Sequence, residues 1–132
     1  MKSISNTPWS YCTTKEKIER WVNARRVLRG LSRHERKAHW DMSLWGRKTD
    51  CGTIACAAGH CSLDSWFIDH GFEGYYIGSS TKFLRFTMQP DFFFGITGTG
   101  DIFLNQNRRS VSQVIREMTR HIKDLKRGVN MS

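Results

Sequence analysis

The residue types best suited to chemistry in this chain of 132 residues are concentrated in one short stretch. Residues 51–61 contain three of the four cysteines, two glycines and a histidine. Thiolate sulfur and imidazole nitrogen are ligands that zinc prefers, and a thiolate is also the nucleophile of cysteine enzymes. The stretch therefore raises two chemical hypotheses, a metal site and a reactive thiol.

A structural zinc site is the first hypothesis. If the stretch lies on one helix, Cys56 and His60 share a face, because they are four residues apart at 100° per residue. Cys51 precedes that helix, and Cys12 supplies a fourth ligand from the N-terminal region. The spacing differs from the common zinc pair of cysteines two residues apart, and cysteine is often buried as a small apolar side chain. We therefore expect buried thiols and no cofactor, with structural zinc as an alternative.

A catalytic cysteine is the second hypothesis. Cys51 or Cys56 lies near the predicted helix start, where the helix dipole stabilises a thiolate, and His60 or His70 offers a base. The Cys-Gly-Thr at residues 51–53 is not followed by the Cys-Trp of papain-like proteases. No other enzyme motif is present, so the sequence favours a protein that is not an enzyme.

The charge of the chain supports a different kind of function. A net charge of +9 favours an anionic partner, such as nucleic acid or an acidic protein surface. The basic residues dominate both ends: residues 14–39 carry nine Lys and Arg against three acidic residues, and residues 106–128 carry seven against two. The residues that we predict to contact the partner are Arg25, Arg26, Arg29, Arg109, Arg116, Arg120, Lys123 and Arg127.

Capping signals and apolar periodicity predict a mostly helical α+β fold in a single domain, residues 1–132. Ser or Thr followed three residues later by Glu or Gln predicts the starts of two amphipathic helices, at about 14–29 and about 110–127. In the second helix, apolar residues occupy one arc and basic residues another arc of about 60° on the far side. The sequence predicts one small β-hairpin at about residues 74–88.

A third helix, at about 53–70, is predicted to be the buried centre of the fold. Thr53 is a suitable N-cap, and residues 47–50 before it read as a polar loop. In this helix Cys56 and His60 face the core, whereas Cys61 points about 140° away from Cys56.

The central stretch also carries a resemblance. The pattern Trp-Asp-Met-x-x-Trp at residues 40–45, followed by Cys-Gly-Thr-x-x-Cys-x-x-Gly at residues 51–59, resembles that of a group of small, functionally uncharacterised proteins from bacteria and their phages. The likeness covers about residues 31–61. This chain differs in having Trp40 where the group has Phe, and in the additional Cys61. The resemblance implies a phage or mobile-element origin and supplies no catalytic residue.

Together these features predict a small, basic, non-enzymatic phage accessory protein. Its acidic partner would be nucleic acid or a host nucleoprotein, such as a defence complex. The alternatives are a thiol enzyme or redox protein that uses Cys51 and Cys56, and a self-associating virion or assembly component. No apolar run reaches the length of about 18 residues typical of a membrane span, so we expect the host cytoplasm or the virion and no membrane.

Overall fold

The computed structural model describes residues 7–38, 40, 46–49, 52–55, 57–76, 84–95 and 110–127. These residues form a mostly helical α+β fold with two antiparallel strand pairs, which confirms the predicted fold class. The elements in chain order are a 3-10 turn (Trp9–Tyr11), α1 (Thr14–Arg29), α2 (Arg33–Ala38), β1 (Gly46–Thr49), β2 (Gly52–Ala55), α3 (Ala57–Ser62), α4 (Ser65–Asp69), β3 (Gly74–Tyr76), β4 (Leu84–Phe86), α5 (Pro90–Phe94) and α6 (Val111–Arg127).

Three helices begin at capping boxes, and two of them are the predicted amphipathic helices. At the start of α1, the Thr13 hydroxyl accepts a hydrogen bond of 3.1 Å from the Glu16 amide, and the Glu16 carboxylate accepts one of 2.8 Å from the Thr13 amide. Each box satisfies two amides that a helix leaves without an internal partner. The same reciprocal pairs are Ser32 with Glu35 before α2 and Ser110 with Gln113 before α6.

The long helices α1 and α6 pack against each other through their apolar sides. Trp21 contacts His121 edge to face, with the ring centroids 4.5 Å apart, and Arg25 contacts Thr119. The later α1 residue thus meets the earlier α6 residue, which is the order of an antiparallel pair. The buried apolar residues on the two helices are Trp21, Ala24 and Leu28 with Val111, Val114, Met118 and Ile122.

The predicted continuous helix over residues 53–70 is wrong. Thr53 is not an N-cap, because it lies in strand β2 and pairs with Lys48 in strand β1. Residues 47–49, predicted as part of a polar loop, are therefore strand as well. Two short helices, α3 and α4, follow instead, and the break between them lies at Asp64, whose carboxylate accepts a hydrogen bond of 3.1 Å from the Trp66 amide. This side-chain cap starts a new helix where periodicity alone predicted an uninterrupted one.

The end of α4 leads the chain into the aromatic core. Gly71 has a φ of +88° and follows a Schellman turn in which the Phe72 amide donates to the Phe67 carbonyl over 2.9 Å. The same turn brings the rings of Phe67 and Phe72 together, where they pack with Phe93 and Phe94 from α5. The predicted β-hairpin follows directly, with β3 antiparallel to β4.

The N-terminal segment is fastened to α5 at a second glycine. Gly95 follows α5 with a φ of +70°, and the indole ring of Trp9 lies directly against it. A Cβ atom at Gly95 would overlap that ring, so only glycine permits both the backbone conformation and the close approach.

Candidate functional site

The outward side of α6 carries a row of exposed basic side chains, as the sequence predicts. We call Arg116, Arg120, Lys123 and Arg127 the α6 cationic row. The four residues recur at intervals of four, three and four positions and therefore extend over about 16 Å of helix. All four are exposed, and the opposite side of the helix is buried in the core. Because the opposite side of α6 is packed in the core, the row is held on the protein surface.

Two acidic residues of α6, Glu117 and Asp124, lie among these cations in the sequence. Asp124 lies 3.8 Å from Arg127, and both side chains are largely exposed, so their attraction is weak. Among the residues that the structure describes, no carboxylate lies within ion-pair distance of Arg116, Arg120 or Lys123. Arg109, predicted to extend the row, lies outside the described residues.

Arg20 belongs to the interior rather than to the basic surface. It is only 2% exposed, and its guanidinium donates to the Phe93 carbonyl over 2.8 Å and to the Thr7 carbonyl over 2.7 Å. The guanidinium carbon lies 3.9 Å from the centre of the Phe93 ring and makes a cation–π contact with it. Burial lowers the pKa of Arg20. This arginine joins α1, α5 and the N-terminal segment.

Arg26 is engaged by a carboxylate. Its two terminal nitrogens donate to the two oxygens of Asp64, over 3.3 Å and 2.8 Å, and its Nε donates to the Asn23 side chain. The hydrogen bonds to Asp64 are the main reason why the pKa of Arg26 is raised. Arg26 was predicted to contact an anionic partner, and in the folded chain its contact is with the cap of α4.

Arg25 lies where α1 meets α6, and Arg29 follows it one turn later on α1; together with Thr119 we call them the α1–α6 seam. Arg25 is half-buried and its Nη1 donates to the Thr119 hydroxyl over 3.3 Å. Burial lowers the pKa of Arg25, and the positive charge of Arg29 one turn later lowers it further. Arg29 is exposed. Within the described ranges, neither arginine has a carboxylate at ion-pair distance.

The two described cysteines, Cys12 and Cys61, are buried. Cys12 has its sulfur 3.5 Å from the Pro8 carbonyl, and burial raises its pKa, which disfavours the thiolate. Cys61 is fully buried, so the prediction that it points away from the core is wrong. The prediction assumed that only one side of this helix faces the core, whereas every residue of α3 except His60 is buried. Cys51 and Cys56, the candidate nucleophiles and zinc ligands, lie outside the described residues.

Histidine 60, the remaining candidate for zinc binding and catalysis, is half-buried and stacks on Trp40, with ring centroids 5.8 Å apart and planes at 10°. Another histidine, His70, stacks on Trp66 at 3.8 Å, and its Nδ1 lies 2.7 Å from the Trp66 carbonyl. Among the described residues, no three His, Cys, Asp or Glu side chains are grouped to hold a metal ion.

The sequence predicts the cationic row, but it does not distinguish the arginines of α1 by their contacts. The structure separates them by their partners, and it adds Thr119 and Asp64, neither of which was predicted to act on an arginine. The one available signal was the position of Arg25 inside the apolar arc of α1, which indicated either a contact or an extended side chain reaching the rim.

No protein-family model, curated protein or solved structure matches this chain. In the part of the chain that the structure describes, no helix is long and apolar enough to span a membrane.

Proposed function

We propose that this chain is a small, non-enzymatic accessory protein that binds an anionic macromolecule, either nucleic acid or an acidic nucleoprotein surface, through the α6 cationic row. The observation that carries the proposal is the row itself, four exposed cations on one side of a helix whose other side is core. The resemblance to small proteins of bacteria and phages supports a role in an infected bacterial cell.

The arrangement of the row supports a binding role over simple solubility. Its four cations, Arg116, Arg120, Lys123 and Arg127, lie three or four residues apart and therefore share one side of the helix. The acidic residues Glu117 and Asp124 lie at the same spacings from Arg120 and offset part of the repulsion within the row. Scattered charges would maintain solubility equally well, whereas a row presents several cations to one anionic partner.

Charge reversal tests the proposal. The test is the triple variant Arg116→Glu, Arg120→Glu, Lys123→Glu. Because all three side chains are exposed, the substitutions do not disturb the core, and thermal stability should stay close to that of the parent protein. Affinity for a labelled oligonucleotide should fall below detection in anisotropy titrations. The parent protein should show a salt dependence with a slope of log K against log salt of about −0.9 per phosphate contacted.

A matched control separates the row from net charge. The variant Lys15→Glu, Lys37→Glu, Arg85→Glu changes the charge by the same amount at exposed positions on α1, α2 and β4. It should weaken binding only modestly, through the overall field. If both triples lose the same affinity, or if the α6 triple binds as well as the parent protein, the row is not the binding site.

A further inference from the structure

The seam holds one arginine in a defined position. The Thr119 hydroxyl donates its single hydrogen to the Ile115 carbonyl over 2.9 Å, so towards Arg25 it acts as an acceptor. This contact uses one N–H of the Arg25 guanidinium, which has five. Arg25 is thus anchored on α6 while it keeps donors for another acceptor.

On both helices, positively charged residues lie close in sequence to the two residues of this hydrogen bond. Arg29 lies one helical turn from Arg25 on α1, and Arg116 and Lys123 lie three residues before and four residues after Thr119 on α6. Residues at these spacings are neighbours on a helix surface. The hydrogen bond between Arg25 and Thr119 therefore joins the seam to the α6 cationic row as one surface formed by two helices.

The chemistry of this surface favours phosphate over carboxylate. One guanidinium already satisfies both oxygens of a carboxylate, as Arg26 does for Asp64. The seam instead carries two arginines one helical turn apart, and the row on α6 carries further cations at intervals of about 4.5 to 6 Å along the helix axis. Regularly repeated cations suit a polymer that carries one negative charge on every monomer.

We propose that Arg25 and Arg29 together hold a phosphate of a nucleic-acid backbone at the seam, with Thr119 orienting the Arg25 guanidinium, while the row contacts the following phosphates. This inference rests on the proposed function, since it identifies the partner of the same surface. Contacts of this type position a nucleic acid without reading its sequence, so binding is independent of base sequence.

The hydroxyl of Thr119 provides a test that leaves the net charge unchanged. Thr119→Val removes the acceptor for Arg25 and should weaken binding of a labelled oligodeoxynucleotide by about fivefold, as expected for one lost hydrogen bond. The salt slope should remain that of the parent protein, because no charge is lost. Thr119→Ser keeps the hydroxyl and should bind like the parent protein.

A second variant keeps the test valid if Thr119→Val alters folding. Arg25→Lys retains the charge but not the planar fork, and it should also lower the affinity severalfold, with a melting temperature close to that of the parent protein. Circular dichroism first establishes that Thr119→Val folds. If Thr119→Val and Arg25→Lys then both bind normally while the α6 triple does not, the phosphate site at the seam is refuted and the proposed function stands. If the α6 triple also binds normally, both fail.

Competition decides the class of partner. Unlabelled oligonucleotide should displace the labelled probe, whereas polyglutamate at equal charge concentration should do so poorly. If polyglutamate competes equally well, the site accepts carboxylates and the assignment to phosphate is wrong. Single-stranded and duplex probes of equal length are compared in parallel, and tighter binding of either supports the assignment and identifies the preferred form.

Discussion

Two regions of α1 use the same residue type in opposite ways. Where α1 meets α5 and the cap of α4, Arg20 donates to two backbone carbonyls and Arg26 to both oxygens of Asp64. At the α1–α6 seam, Arg25 has only a neutral hydroxyl as its described partner, and Arg29 repels it from one turn away. The first pair serves the fold, whereas the second leaves charge available to a partner.

The comparison separates stability from binding. A buried arginine that donates to backbone carbonyls stabilises the fold, and its loss leaves those acceptors unsatisfied. An arginine beside another cation adds repulsion and little else until an anion arrives. Substitutions in the first region should therefore change the free energy of unfolding, and substitutions in the second should change affinity.

Arg20→Met should have the largest effect. It leaves the carbonyls of Thr7 and Phe93 without this donor in a buried site, and we expect it to cost about 3 kcal/mol of unfolding free energy. Urea denaturation followed by circular dichroism measures the change. Arg20→Lys retains the charge but cannot span both carbonyls, so its loss should be intermediate. A loss below about 1 kcal/mol for the methionine variant would mean that Arg20 does not fasten the N-terminal segment.

Local patterns in the sequence predicted much of this fold. The reciprocal pairs Thr13 with Glu16 and Ser110 with Gln113 lie within four residues, and the apolar arc of α6 is visible from periodicity alone. The helix at 53–70 was wrong because pairing with β1 decides the structure of residues 52–55, and this pairing is a tertiary interaction.

The site was predicted in part for the same reason. The α6 cationic row follows from a helical projection, but the partners that distinguish the arginines of α1 are distant in sequence. Arg26 meets Asp64 across 38 positions, Arg20 meets Phe93 across 73, and Arg25 meets Thr119 across 94. Composition and spacing identify these arginines, but only the folded structure shows which of them have hydrogen-bond or ion-pair partners.

Asp64→Ala should have a moderate effect, larger than that of Arg26→Ala. Asp64 both caps α4 through the Trp66 amide and pairs with Arg26, so its loss should cost about 1.5 kcal/mol. Arg26→Ala removes the ion pair, whose arginine side chain is 51% exposed, and an exposed hydrogen bond to Asn23, and it should cost about 0.5 kcal/mol. A double-mutant cycle measures the coupling, and equal losses for the two single variants would contradict the separate contribution of the cap.

Arg29→Ala should have the smallest effect on stability. Its side chain is exposed, and removing it relieves the repulsion on Arg25, so unfolding free energy should be unchanged or rise by a few tenths of a kcal/mol. Affinity for an oligonucleotide should nevertheless fall, with a salt slope shallower by about 0.9. Opposite signs in the two measurements would show that the charge is retained for a partner, because a residue that only served the fold would lower both together. A fall in stability without a change in affinity would instead place Arg29 with Arg20 and Arg26.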